Sequence, residues 1–258
     1  MRAWLVPLAC LAFATAWAQD GASSREQAVA RAHALLDEVG ALPDRGDYAT
    51  SRARAQEAVT LAEEKLGPKD AVLSECLGWL GASLEALGDY RGAKVAYERA
   101  LGIDEEVSGP ESMETASSLN NLGNALRALG DLEGAKPLYE RSLAIREAVL
   151  GAEDERLATA LNNLGSLLWQ MGDGEAARPR MERALALMEK SLGPDHPHVA
   201  VLLSNLARVA LQASRLQDAK ALFERALSIR EKSLGPEHPE TAGSLRDLGW
   251  VLLDLGDL

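Results

Sequence analysis

The sequence predicts an all-α fold of stacked antiparallel helix pairs, and three observations predict it. The first is composition. Of 258 residues, 47% are hydrophobic and only 4% aromatic, and Leu and Ala, both helix formers, supply most of the apolar share. The second is an internal period. Gly46-Asp47-Tyr48, Gly88-Asp89-Tyr90, Gly130-Asp131-Leu132, Gly172-Asp173-Gly174, Ser214-Arg215-Leu216 and Gly256-Asp257-Leu258 each begin 42 residues after the one before. The third is a second marker in the same phase, Gly67, Gly109, Gly151, Gly193 and Gly235, four of them preceded by Leu and four followed by Pro. Two markers in step over several intervals define a repeat array, and the apolar residues then form a stripe shared between neighbouring units.

Within one period the pattern is two helices. From Thr115 to Leu129, Leu119, Leu122, Leu126 and Leu129 recur at spacings of three and four, the spacing of one helical face. Gly130 then suits a helix C′ position and Asp131 the cap of the following helix. From Leu132 to Leu150 a second face runs through Ala135, Leu138, Tyr139, Ser142, Leu143 and Ile145, and Gly151 ends it. Pro137 and Pro179 are expected in the first turn or so of their helices, where a missing N–H costs little. Gly81, Gly123, Gly165, Ala207 and Gly249 share one position on the first helix, and Ala93, Ala135, Ala177 and Ala219 share one on the second. Interior Gly costs about 1 kcal/mol against Ala, so its recurrence predicts close approach of the paired backbones.

The beginning of the chain reads as an export leader. Arg2 is followed by an apolar run from Ala3 to about Ala16 and by Ala16-Trp17-Ala18, an A-x-A cleavage pattern. The run is short against the ~20 residues that span a bilayer, and nothing downstream reads as a second membrane segment. Cleavage after Ala18 would remove Cys10 and leave Cys76 alone, so stability would come from packing without a disulfide. Residues 1–18 are thus a signal peptide, residues 19–69 a degenerate N-terminal capping repeat, and residues 70–258 a regular array ending after the first helix of a sixth unit. The expected location is a bacterial periplasm or the exterior.

The formal net charge of −12 argues against a phosphate-backbone binder, which needs a clustered basic footprint; no nucleic-acid partner is expected. Chemistry is equally thin. His196 and His238 lie 42 residues apart in the same inter-repeat turn and read as turn-and-cap residues, not metal ligands, and no Gly-rich phosphate loop follows a strand. No cue activates Cys76, and scattered carboxylates are not a matched acid/base pair. No enzymatic activity, metal or cofactor is expected.

The stretches LNNLGNALRALGDLEGAKPLYERSLAIREAVLG from Leu119 and SLGPDHPHVAVLLSNLARVALQASRLQDAKALFERALSIREKSLGPEHPETA from Ser191 resemble tetratricopeptide repeats of the 42-residue kind found in kinesin light chains. The resemblance is strong over residues 70–258 and weak over 25–69. It implies a right-handed superhelical solenoid with the first helix of each pair on the concave side, binding protein or peptide partners. With Gly123 placed at its position in the family's unit, Asn121, Asn163 and Asn205 form an inward ladder, with Trp79 and Asp247 at the flanking equivalents. In peptide-binding relatives an Asn there pairs with an extended backbone, which a carboxamide can do as donor and acceptor. The same alignment turns Arg127, Arg208 and Arg246 inward beside Trp169 and Trp250. It implies a locally positive, aromatic channel suited to an acidic peptide with an apolar anchor.

The expected function is therefore a peptide-binding scaffold or adaptor in the cell envelope. Two alternatives come from other classes: the regulatory or sensor portion of a longer exported enzyme, such as a caspase-like protease, and a self-assembling structural protein joined through its C-terminal helix. The apolar last helix, SLRDLGWVLLDLGDL, motivates both, because a terminal cap should present a polar outer face. The stop after half a unit favours a longer product.

Overall fold

The structure, a computed structural model, describes the backbone of residues 8–42 and 46–256, and side chains within those stretches from residue 24 onward. Arg2 of the expected leader, Pro43 and the last two residues of the final Gly-Asp-Leu marker lie outside the described residues. Eleven helices and no strand occur among those described: α1 (Leu8–Ala41), α2 (Tyr48–Lys65), α3 (Ala71–Ala86), α4 (Tyr90–Val107), α5 (Met113–Ala128), α6 (Leu132–Leu150), α7 (Leu157–Gln170), α8 (Gly174–Leu192), α9 (Pro197–Gln212), α10 (Leu216–Leu234) and α11 (Pro239–Leu255). They form five pairs and one further helix. No helix among the described residues is long and apolar enough to cross a membrane.

The period is written in the helix ends. Asp47, Asp89, Asp131 and Asp173 each cap the second helix of a pair. Their carboxylates accept from the backbone N–H of Thr50, Gly92, Gly134 and Ala176 at 2.9–3.1 Å, satisfying one of the free donors of the first turn. Before each cap the chain must reverse, and Gly130 does so at φ 84°. The fifth copy departs from this: Ser214 takes φ 57° without being glycine, and Arg215 at the cap makes no side-chain bond. His196 and His238 are caps, as expected, each accepting at Nδ1 from the N–H two residues on. Ahead of α7 the equivalent bond comes from Asp154, whose carboxyl the Arg156 guanidinium and N–H hold at about 2.

Pro137 and Pro179 depart from expectation. α6 begins at Leu132 and α8 at Gly174, so each proline is the sixth helical residue and forfeits a bond to the carbonyl four residues back. The helices tolerate this near their N-termini, but not inside the first turn.

The helices group into two compact units, Met1–Asn121 and Leu122–Leu258, with the division inside α5. In the first, Leu35 and Val39 of α1, Ala58 and Val59 of α2, Leu73, Cys76 and Leu77 of α3, and Ala100 and Ile103 of α4 form one core. The less regular residues 25–69 therefore share that core with the first regular repeat. In the second unit, Ala158 and Leu161 of α7 pack on Ala184 and Leu187 of α8. Ala200 and Leu203 of α9 pack on Ala226 and Ile229 of α10 in the same register. Pairing is antiparallel: in the first unit, Ser74 Oγ donates to Ala100 O and Tyr97 OH to Glu85 Oε2.

The recurring glycine clears a side chain, where close approach of backbones was expected. A Cβ on Gly81 would lie 2.3 Å from Tyr97 Cε1, on Gly123 2.9 Å from Tyr139 Cε1, and on Gly165 2.7 Å from Met181 Cγ. At the fourth copy Ala207 meets Phe223. Each bulky residue sits sixteen positions after its glycine and four after the recurring alanine, and all four are at most 2% exposed. Tyr97, tethered through its hydroxyl to Glu85, cannot swing away, so we expect Gly81→Ala to destabilise the protein by about 1–3 kcal/mol through overpacking. Gly102→Ala, where nothing lies within 4 Å, should stabilise α4 by up to about 1 kcal/mol. Urea unfolding followed by circular dichroism gives the two signs; stabilisation by both would show that helix propensity, not clearance, governs the glycine.

Candidate functional site

The first helices carry two cavities, one in each unit. In the unit Leu122–Leu258, Arg127 of α5, Asn162, Asn163, Ser166, Trp169 and Gln170 of α7, Met181 of α8, and Asn205 and Arg208 of α9 line a cavity of about 180 Å³. Helical periodicity explains the assembly. Asn162, Ser166 and Trp169 follow at spacings of four and three on one face of α7, and Asn205 and Arg208 at a spacing of three on α9. Leu161, Leu164 and Leu168, on the opposite side of α7, are buried and fix its rotation.

Donors dominate this cavity. Among the described residues, Arg127 Nε and Trp169 Nε1 are buried without a hydrogen-bond partner, and no carboxylate lines the space. Asn205 Nδ2 donates to Asn162 Oδ1 at 2.9 Å, so the carboxamides bond among themselves and Asn205 has less capacity for a ligand than a lone side chain. Arg208 is held by Asp247 at 3.2 Å, and Arg246 reaches the same carboxylate at 3.4 Å. Asp247 occupies the ladder position that is Asn in the three preceding copies, and its charge draws both guanidinium groups. An unpaired buried N–H costs about 1–3 kcal/mol.

In the unit Met1–Asn121 the cavity is larger, about 640 Å³, and opposite in character. Trp79 of α3 and Asn121 of α5 line it with Glu75, Asp104, Glu114, Ser117 and Ser118, and no Lys or Arg does. Trp79 is 38% exposed. Asp104, on α4, is buried and accepts from Ser118 Oγ at 2.5 Å. Asn120 Nδ2 approaches Asn121 Oδ1 at 3.5 Å.

Of the residues expected from sequence, Asn163, Asn205, Arg127, Arg208 and Trp169 come together in one cavity and Trp79 and Asn121 in the other. Arg246 and Trp250 line neither. The positive character belongs to the Arg127 cavity, whereas the Trp79 cavity is acidic. Sequence reasoning missed Asn162, Glu75, Asp104 and Glu114. A signal existed for the first: Asn120-Asn121 and Asn162-Asn163 repeat as pairs at the 42-residue period. Asp104 gave none, because its equivalents Arg146, Met188 and Arg230 are chemically unlike it.

Five overlapping matches to the tetratricopeptide-repeat family model cover residues 40–106, 77–148, 114–186, 156–232 and 199–258. The chain belongs to the tetratricopeptide-repeat family. Solved structures share this fold. BtubC (BKLC) from P. vanneervenii is 27% identical, with a TM-score of 0.68 over 86% of this chain and 92% of that one. A kinesin-light-chain protein of Podosopora anserina with nearly identical TPR-like repeats is 20% identical, with a TM-score of 0.68 over 80% and 97%. The apo form of RapI shares the fold at 15% identity and a TM-score of 0.66 over 86% and 83%. No curated protein matches the sequence.

Among the described residues no three His, Cys, Asp or Glu side chains cluster as metal ligands. Cys76 is buried in the core of the first unit, where desolvation, aided by Glu75, pushes its thiol up to about 12. The thiolate is the reactive form. At pH 8 the native Cys76, in a chain carrying Cys10→Ser, should react with iodoacetamide about a thousandfold more slowly than after denaturation, a ratio that follows from that shift. Mass spectrometry of the time course measures it; equal rates would mean that Cys76 is neither buried nor shifted.

Proposed function

We propose that this tetratricopeptide-repeat protein is a binding adaptor that works outside the cytoplasm. It grips an extended peptide segment of a partner through the polar faces of its first helices, with an acidic side chain seated against Arg127 and Trp169. The observation that supports the reading most is the donor-rich cavity, with Arg127 Nε and Trp169 Nε1 buried and unbonded beside Asn163, Asn205 and Arg208. A carboxylate there would supply the missing acceptors in a charge-assisted geometry. Carboxamides suit a peptide backbone because they offer donor and acceptor together.

The test is selection of dodecapeptides from a random display library, followed by calorimetry of the bound sequences. Binders should be enriched in Asp and Glu. Asn163→Ala with Asn205→Ala should weaken them at least about fivefold, at about 0.5–1.5 kcal/mol per hydrogen bond lost. Arg127→Ala should weaken acidic binders more than neutral ones, with helicity unchanged. Unaltered affinities in both variants would overturn the reading.

Export rests on the sequence of the leader: Arg2, the apolar run and Ala16-Trp17-Ala18. Expressed in a bacterial host, the mature chain should begin at Gln19 by N-terminal sequencing and fractionate with the periplasm. A chain that keeps Met1 and stays in the cytoplasm would remove the extracytoplasmic part of the proposal.

A further inference from the structure

The Trp79 cavity of the unit Met1–Asn121 has a chemistry that the packing of the repeat does not require. Three carboxylates, Glu75 of α3, Asp104 of α4 and Glu114 of α5, line its volume of about 640 Å³, with no Lys or Arg among the lining residues. Asp104 is 6% exposed. Its Oδ2 accepts from Ser118 Oγ at 2.5 Å. Among the described residues Oδ1 has no hydrogen-bond partner, and no cation pairs with the carboxylate. A carboxylate can accept about four hydrogen bonds, and burying one without a counter-charge is costly. His33 of α1 approaches Glu75 Oε2 at 3.4 Å but does not line the cavity.

Trp79 supplies an aromatic wall. The indole is partly exposed, and its six-membered ring reaches α1, where a Cβ on Gly40 would stand 3.5 Å from Cη2. Ala71, Val72 and Met113 line the space with it, so apolar surface separates the charges. Among the described residues no three of these carboxylates cluster as metal ligands, and a hard divalent cation needs such a cluster. An organic cation does not. It is drawn to an aromatic face and to several carboxylates at once, while its stem packs on apolar surface. The repeat does not dictate these residues either. The position of Trp79 holds Asn121, Asn163, Asn205 and Asp247 in the other copies, and that of Glu75 holds Ser117, Thr159, Val201 and Gly243.

We propose that this cavity is a binding site for an alkylguanidinium or alkylammonium group, the head of an Arg or Lys side chain. The cation bonds to Asp104 Oδ1 and its alkyl stem lies along Trp79. A guanidinium or ammonium there gives the buried carboxylate the counter-charge and the donors it lacks, in a charge-assisted bond. Glu75 and Glu114 add attraction at longer range, because a cleft lined by one sign of charge concentrates the opposite ion. At about 640 Å³ the space falls within the roughly 300–1,000 Å³ usual for ligand sites and leaves room for the atoms that flank the cation. The site shares no residue with the Arg127 cavity, so it neither rests on acidic-peptide binding there nor falls with it.

The probes are the acetylated, amidated tripeptide Gly-Arg-Gly, the same tripeptide with citrulline in place of Arg, and agmatine, each titrated into the full chain by calorimetry at low ionic strength. The Arg tripeptide should bind saturably, and the citrulline tripeptide, similar in shape but uncharged, at least about tenfold more weakly. Asp104→Asn, which keeps an acceptor for Ser118, should also weaken the Arg tripeptide about tenfold or more. Glu75→Gln with Glu114→Gln, both at exposed positions, should weaken it about threefold and flatten its dependence on salt, with the melting temperature unchanged. Equal affinity for the Arg and citrulline tripeptides would overturn the proposal. So would unaltered binding in Asp104→Asn or in the double glutamine variant. Agmatine separates the two sources of the cation: tighter binding of the tripeptide assigns the site to a side chain of a partner polypeptide, and tighter binding of agmatine to a free small cation. Calcium that displaces the Arg tripeptide and loses its own binding in Asp104→Asn would make the occupant a metal ion, and the proposal would fail.

Discussion

The architecture depends on a clearance of about one methyl group. In the pairs α3/α4, α5/α6 and α7/α8 the first helix omits a side chain where its partner inserts Tyr97, Tyr139 or Met181, and a single Cβ there would lie 2.3–2.9 Å from the inserted side chain. Glycine in a helix interior costs about 1 kcal/mol, a cost offset by burying a large side chain almost completely. Knob and gap are sixteen residues apart and the unit repeats every 42, so the same local fit recurs in these three pairs. Interiors packed to crystal density do not tolerate a misplaced methylene. The fourth copy, Ala207 against Phe223, shows that some slack exists once the inserted group is a ring without a tethered hydroxyl.

That fit leaves the polar faces of the first helices free for other work. With the leucines of α7 committed to the core, Asn162, Asn163, Ser166 and Trp169 are turned to one cavity, and α9 adds Asn205 and Arg208. The core is nearly uniform from repeat to repeat, while the cavity residues vary. Such a division suits a binding array, since substitutions at the cavity positions change what is recognised without disturbing what is packed. The two units differ accordingly, one cavity rich in carboxylates and the other in guanidinium and amide donors.

Surface ion pairs add little to this picture energetically. Pairs such as Arg178–Glu182 and Arg99–Glu63 join exposed side chains and contribute at most fractions of a kcal/mol. They lie on exposed side chains, in a chain whose net charge is −12. Asp247 is different, because it holds both Arg208 and Arg246 and so decides which guanidinium groups remain available at the neighbouring cavity.

The sequence by itself determined the helix pairs of the regular repeats, the bounds of α6, and the Asp and His caps. All of these follow from short-range periodicity and turn chemistry that recur every 42 residues. It also placed Asn163, Asn205, Arg127, Arg208 and Trp169 on facing sides, because a repeat alignment carries rotation as well as position. Only the tertiary structure decided what the glycines face, since a gap and its knob sixteen residues apart look alike whether backbones or side chains meet. It alone separated Arg246, which pairs with Asp247 of its own helix, from the Arg127 cavity, and it alone placed Asp104, whose equivalents share no chemistry with it. Periodic features are legible because each copy repeats the message. Features that depend on one unrepeated contact between helices appear only when the helices are brought together.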